Sequence, residues 1–283
     1  MQINPGPASE SDTVLLQRRG LPRLDSLGRG LLNLVGLVQG LGAFALISLG
    51  ILFTKWDKAR PVIRPMIVTH IARSGLLLLP LTAFAAVALG LVIIGQSVSL
   101  LSRVGANNYL GTIMVMTVVR EIGPLLAALL VLSRTGAANV IELGTARAFG
   151  EVEALEVLGI DPIHYFVVPR VIGMAVGIFA LTVYMILGAL LSGYLWVFLQ
   201  DVPLTPGDYF RQLAGALSGL DFVLLAAKTL AFGSVLALVT CYHGLAQPLS
   251  LGDVSRATVR AVGQSIVFCF MIETLFIVIY LVS

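Results

Sequence analysis

The chain alternates between long apolar runs and short clusters of Pro, Gly, Asn, Asp or basic residues. Several runs reach the ~20 residues that a helix needs to cross ~30 Å of hydrocarbon. The pattern therefore predicts an all-α membrane protein with five crossing helices. They are expected at residues 66–97, 108–133, 166–199, 219–243 and 259–282.

A further apolar run, residues 31–54, is long enough to span by hydropathy alone. With a cytoplasmic N-terminus and five spans, fourteen Lys/Arg face the cytoplasm, while Arg103 and Arg211 face outward. A crossing at residues 31–54 would weaken that count to ten against six. Charge asymmetry therefore favours an interfacial helix within residues 31–64, and a periplasmic C-terminus.

Composition agrees with a membrane protein: 58% of the 283 residues are hydrophobic and 12% are charged, against roughly 25% charged in soluble domains. Residues 1–30 contain Glu10 and Asp12 and lack the apolar core and cleavage site of a signal peptide. We expect them to form a cytoplasmic extension before one membrane domain, residues 31–283. The net charge is +3, but the basic residues lie beside membrane segments. They therefore indicate the topology of the chain and not nucleic-acid binding.

Four ionisable residues fall in the middle parts of predicted spans: Arg120, Glu121, Lys228 and Glu273. Each would cost ~2.5–3.5 kcal/mol at a helix centre if it were unpaired. Counting from the outer ends places them at overlapping depths in the outer half of the membrane, and their charges sum to zero. They either form buried ion pairs that fix helix register or line the cavity of an amphiphilic substrate; a proton relay is a third possibility.

Gly123 and Pro124 follow Arg120 and Glu121 after one intervening residue, Ile122. Proline lacks the amide N–H that continues a helix, so a break there is expected to expose backbone carbonyls at the same level.

Residues 134–165 are too long and too regular for a simple loop. Val140, Ile141, Leu143, Val152, Leu155 and Leu158 predict an apolar helix side, with charged residues opposite. A helix on the membrane surface should be basic, whereas this one is acidic. We therefore expect a protein partner for the polar side, which consists of Glu142, Arg147, Glu151, Glu153 and Glu156.

The chain has no G-x-x-x-x-G-K-[ST] phosphate loop, no H-E-x-x-H and no G-x-S-x-G motif. Cys241 and Cys269 lie in or beside apolar spans, which favours a packing role over metal or redox chemistry. We expect no catalysis, no metal and no cofactor in this chain. ATP and Mg²⁺ would be bound by a partner ATPase.

Residues 120–170 read REIGPLLAALLVLSRTGAANVIELGTARAFGEVEALEVLGIDPIHYFVVPR, which closely resembles the signature region of the MlaE-type permeases. These are the membrane subunits of ABC lipid transporters that work with MCE-domain proteins. The later segments KTLAFGSVLALVTCYHG and SRATVRAV are also similar to that family. The resemblance covers roughly residues 30–283, although AQPLSLG at residues 246–252 departs from the Gly-rich loop common there.

The resemblance implies a homodimer with five crossing helices per subunit, preceded by an interfacial elbow helix. A coupling helix between Asn139 and Gly159 would dock on a cytoplasmic ATPase. The chain would move phospholipid between the inner membrane and a periplasmic MCE protein. The lipid cavity would be lined near Arg120, Glu121 and Lys228, with Glu273 at a position where the family carries Asp.

Two other functions fit the residues. The chain could be an ion- or proton-coupled secondary transporter that uses Glu121 and Glu273. It could also be a non-transporting scaffold that recruits a cytoplasmic partner through residues 139–159.

Overall fold

The structure is a computed structural model that describes residues 36, 39–48, 50, 60–105, 109–199, 205–245 and 250–282. The described part is helical and contains no strand. Its helices, numbered here in chain order, are α1 (Gln39–Ser48), α2 (Ile63–Leu101), α3 (Leu110–Ala148), α4 (Glu151–Val157), α5 (Ile163–Leu199), α6 (Pro206–Ala216), α7 (Gly219–Leu245) and α8 (Leu251–Val282).

Five of these helices, α2, α3, α5, α7 and α8, are long and apolar enough to cross a membrane, which confirms the predicted number and order of spans. The main difference is the length of α3. Its helix does not end near residue 133, as expected, but continues to Ala148. Half of the predicted coupling segment is therefore an extension of the second span.

Helix α1 is a ten-residue apolar helix within the predicted interfacial segment. It is too short to cross the hydrocarbon core by itself. The extension at residues 1–30 and residues 51–59 lie outside the described residues. Whether the whole segment lies in the interface stays a prediction.

Helix α5 lies between α2 and α7 and buries small residues against both. On one side Gly173 and Gly177 face α2, where the Ser74 hydroxyl donates a hydrogen bond to the Gly173 carbonyl over 2.8 Å. On the other side Gly233 of α7 lies against the Ala175 backbone. Close backbone approach at small residues is the usual way in which helices associate in lipid.

Helix α6 is a short amphipathic helix between the third and fourth spans. Thr205 caps its N-terminus by accepting a hydrogen bond from the Asp208 amide. Tyr209 is buried, and its hydroxyl donates to the Leu190 carbonyl of α5 over 2.9 Å. Burial also raises the pKa of Tyr209.

Replacement of Gly233 tests the contact between α5 and α7. A Cβ at this position would lie 2.3 Å from the Ala175 Cα, and backbone cannot move aside cheaply. We expect Gly233→Ala to destabilise the bundle by about 1–3 kcal/mol, the usual cost of overpacking. Gly263→Ala is the matched control, since a Cβ there meets nothing within 4 Å. Equal thermal unfolding midpoints of the two variants in detergent would contradict the packing.

Candidate functional site

The ammonium group of Lys228 lies at the point where α3, α7 and α8 meet. Its side chain has 0% exposure. The Nζ atom lies 2.8 Å from Oε1 of Glu273 and 3.6 Å from Oε2 of Glu121, and it donates a hydrogen bond to the Arg120 carbonyl over 2.7 Å. One cation on α7 thus contacts two carboxylates and one backbone acceptor on the neighbouring spans.

The Arg120 carbonyl can accept from Lys228 because of Pro124. In a regular α-helix this carbonyl would bond to the amide of residue 124, but proline has no N–H. The helix is also widened to a π-helix over Val115–Ile122, and the Gly123 amide bonds to the Val118 carbonyl, five residues earlier. The helix does not break at Gly123 and Pro124, because α3 is continuous from Leu110 to Ala148. The Arg120 carbonyl nevertheless lacks the amide of residue 124 and accepts from Lys228.

The side chain of Arg120 points to another partner, Asp221 of α7. Its Nε lies 2.9 Å from Oδ1, and its Nη2 donates to Oδ2 over 3.2 Å. The guanidinium also lies 5.0 Å from the centre of the Tyr280 ring on α8, within the range of a cation–π contact. The expectation that four residues form a balanced set is therefore incomplete, since the network holds two cations and three carboxylates.

Asp221 was missed from the sequence because it lies in the first turn of α7 and not in the middle of a span. It accepts hydrogen bonds from the Ser218 amide at 2.8 Å and from the Ser218 hydroxyl at 3.0 Å. An acid that reaches back to the amide of the capping serine is half of a capping box. The pattern Ser-x-x-Asp ahead of an apolar run was the available signal.

The network has two parts that differ in exposure. Lys228, Glu273 and Asp221 have side-chain exposures of 0%, 8% and 3%, and we call them the buried half. Arg120 and Glu121, at 22% and 32%, form the open half. The subunit therefore brings all four predicted residues together, but leaves only Arg120 and Glu121 substantially accessible from outside the chain.

The predicted coupling residues differ in their contacts, although Nη2 of Arg147 lies 3.9 Å from Oε1 of Glu153 on α4. Glu142 is held within the bundle: its Oε2 lies 3.1 Å from Nη2 of Arg170 on α5, and its Oε1 lies 2.5 Å from Nη1 of Arg73 on α2. Arg147 donates to the carbonyl of Leu245 at the end of α7. Both side chains bind other spans and still keep exposures of 39% and 27%. Their role in ATPase coupling stays a prediction.

Helix α4 carries the remaining acidic residues, Glu151, Glu153 and Glu156, and all three are exposed. It begins after Gly150, whose φ of +77° turns the chain away from α3. The predicted apolar side is only partly buried: Val152 is buried, whereas Ile141 and Leu158 are exposed. The segment is thus a span extension followed by a short, separate acidic helix.

Among the residues that the structure describes, no cluster of His, Cys, Asp and Glu could hold a metal ion. Cys241 and Cys269 are buried and unbonded to each other.

The family model described as Permease MlaE matches residues 67–279, which include all five ionisable residues of the network. Probable ABC transporter permease proteins match as well: one from Rickettsia bellii is 30% identical, covering 82% of this chain and 88% of the relative. One from Rickettsia typhi is 32% identical, covering 82% and 91%.

The chain is also similar to Protein TRIGALACTOSYLDIACYLGLYCEROL 1, chloroplastic, of Arabidopsis thaliana, at 28% identity over 63% of this chain and 51% of the relative. A family match over most of the chain and five apolar spans agree with each other. The chain therefore belongs to the MlaE permease family, and is a multi-pass inner-membrane transport subunit rather than an enzyme.

Proposed function

We propose that this chain is the permease subunit of an ABC transporter that moves phospholipid between the inner membrane and a periplasmic MCE-domain protein. The observation that carries the proposal is the open half of the network. Arg120 offers a cation and Glu121 a carboxylate at the depth of the hydrocarbon, where exposed charges are expensive unless they serve a pathway. The name of the Arabidopsis relative, which refers to a galactosylated diacylglycerol, supports a lipid substrate.

The open half gives each part of a lipid a partner of matching chemistry. The Arg120 guanidinium can bind a phosphate while it keeps Asp221 as counter-ion. Apolar side chains on α8, including Phe270, Met271 and Leu275, are more than half exposed and can contact acyl chains. The buried half then has another task, which is to hold α3, α7 and α8 at one level around the lipid.

The proposed transporter contains two copies of this chain. A single subunit leaves Arg120 and Glu121 partly uncovered. A second copy that faces this side would enclose the two charges in a shared cavity, and thereby remove them from lipid.

ATP hydrolysis is assigned to a separate cytoplasmic ATPase, which would bind ATP and Mg²⁺. The docking surface proposed for it is α4, with Glu151, Glu153 and Glu156 exposed. Phe149 and Val157 add apolar area, with exposures of 67% and 88%. An exposed apolar centre with a charged rim is typical of a protein interface. This arrangement places the N-terminus and α4 in the cytoplasm, and the C-terminus in the periplasm.

Neutralising Arg120 tests the lipid site. In proteoliposomes with the chain, its ATPase and its MCE partner, we expect Arg120→Gln to lower ATP-driven transfer of fluorescent phosphatidylglycerol at least tenfold, since a hydrogen bond to a charged group is worth ~1.5–3 kcal/mol. Arg211→Gln, on exposed α6, is the control and should transfer lipid normally. Normal lipid transfer by Arg120→Gln would contradict a lipid-binding role for Arg120 and would indicate that the network is purely structural. Transfer driven by a proton gradient without ATP would instead identify a secondary transporter.

Charge reversal on α4 tests the docking surface. We expect Glu151→Lys combined with Glu153→Lys to weaken capture of the ATPase in a pull-down, because both carboxylates are exposed and can attract a basic partner. Arg211→Glu, a reversal at the opposite end of the bundle, should leave capture unchanged. Full capture by the α4 double variant would contradict docking at α4.

The buried half is expected to be structural, and two of its members, Lys228 and Glu273, should depend on each other. Lys228→Met leaves the Glu273 carboxylate buried without its closest cation, which costs about 3–5 kcal/mol. Adding Glu273→Gln removes the stranded charge and should restore most of that stability. The measurement is unfolding by SDS in mixed micelles. A double variant as unstable as Lys228→Met would show that the pair is not the main contact of Lys228.

A further inference from the structure

A groove of about 670 Å³ lies between α2 and α5, near the end of α2. Its size is within the range of ligand sites in proteins, about 300–1,000 Å³. Val92 and Leu100 form apolar parts of its lining, while Gln96 and Arg103 supply polar groups. The groove is therefore amphipathic along its length, unlike an ordinary lipid-facing helix surface.

The polar groups of the groove form a stripe on α2. The helical conformation continues beyond Leu101 as far as Val104. Gln96, Ser99 and Arg103 are spaced by three and four residues, which places them on one side of the helix. The stripe spans roughly 10 Å at ~1.5 Å per residue. Gln96 and Arg103 are both exposed. Polar side chains that face lipid are rare unless they meet a partner of their own.

Gly95 and Trp196 give the groove its shape. A Cβ on Gly95 would lie 2.7 Å from Nε1 of Trp196, so the indole of α5 lies directly against the glycine backbone of α2. A larger residue at position 95 would push the indole away and change the wall of the groove. Trp196 is also a fluorescent reporter within the groove itself.

The groove is separate from the ion-pair network. Ile94 and Val98, on the other side of α2, are fully buried in a core that includes Val119. Val119 precedes Arg120 of the open half. The part of α2 around Ile94 and Val98 thus lies between the groove and the ion-pair network. A ligand in the groove would not contact the network.

The charge of the groove selects its occupant. Arg103 lies at the end of α2, and within the described part of the chain no carboxylate forms an ion pair with it. We propose that the groove binds one anionic phospholipid from the surrounding leaflet. Arg103 binds the phosphate, the Gln96 amide donates to an ester carbonyl, and an acyl chain lies along Val92, Leu100 and Trp196.

A transmembrane helix of another protein is a poorer match. Its backbone hydrogen bonds are satisfied internally, and at this depth it would offer mostly apolar side chains. A phospholipid places a phosphate at the membrane interface and ester carbonyls just below it, in the same order as Arg103 and Gln96 along α2. The groove thus fits a lipid by charge and by the order of its polar groups.

Trp196 fluorescence tests the proposal directly. The chain has two tryptophans, so Trp56→Phe leaves Trp196 as the reporter. The Trp56→Phe variant, which serves as the parent chain, is reconstituted in phosphatidylcholine vesicles. The vesicles contain rising fractions of dibrominated phosphatidylglycerol or, in a separate series, of dibrominated phosphatidylcholine. We expect half-maximal quenching by the phosphatidylglycerol at an about fivefold lower fraction, the factor that corresponds to ~1 kcal/mol for one arginine near a lipid surface.

Arg103→Gln should remove this preference, while its quenching by brominated phosphatidylcholine stays that of the parent chain and thereby shows intact folding. Arg211→Gln, which removes an exposed cation at the same end of the bundle, should keep the preference. Equal quenching by the two lipids in the parent chain would overturn the proposal, because it describes ordinary annular lipid. Absence of quenching by either lipid would also overturn it, by showing that protein covers the groove. Neither readout depends on ATP or transport.

Discussion

The contact on which the rest of this structure depends is that of the Lys228 ammonium with its acceptors. A fully buried cation in a membrane bundle is tolerated only if its hydrogen bonds and charge are satisfied. Here Glu273 of α8 and the Arg120 carbonyl of α3 approach it from two directions, at 2.8 and 2.7 Å. Each distance fixes the axial position of one helix relative to α7. A sliding movement of α3 or α8 along its axis would strand the charge, so the three spans share one register.

The same contact explains an irregularity of α3 that would otherwise weaken the bundle. Pro124 removes the amide that would bond to the Arg120 carbonyl, and the π-helical turn at Val115–Ile122 changes which side chains face inward. Lys228 replaces the lost donor, and the widened turn lets Arg120 and Glu121, adjacent in sequence, serve different partners. Arg120 reaches Asp221 at the start of α7, whereas Glu121 approaches Lys228. The helix defect and the ion pairs therefore depend on each other.

Sequence alone predicts much of this arrangement because hydropathy and charge act over whole segments. Five spans and the common depth of Arg120, Lys228 and Glu273 follow from run lengths and the helical rise. Asp221 was missed because an acid in the first turn of a helix has an ordinary local explanation as part of a cap. The second helix was predicted to end near residue 133 because the residues that follow are more polar, whereas α3 continues to Ala148. Contacts distant in sequence, such as Glu142 with Arg170, hold that stretch against other spans.

The length of α3 gives the proposed coupling a physical route. One continuous helix of 39 residues carries Arg120 and Glu121 in its first half, and Glu142 near its other end. At ~1.5 Å per residue these positions are about 33 Å apart. Glu142 and Arg147 attach that end to α2, α5 and α7, so a push on α4 would not move a loose loop. The force would act on a helix that is held by three other spans.

The π-helical turns of α3 at Val115–Ile122 and Leu132–Gly136 are the places where its hydrogen-bond pattern already departs from that of an α-helix. A shift in either turn would rotate Arg120 relative to Asp221, which connects force at α4 to the half of the network that is open to a ligand.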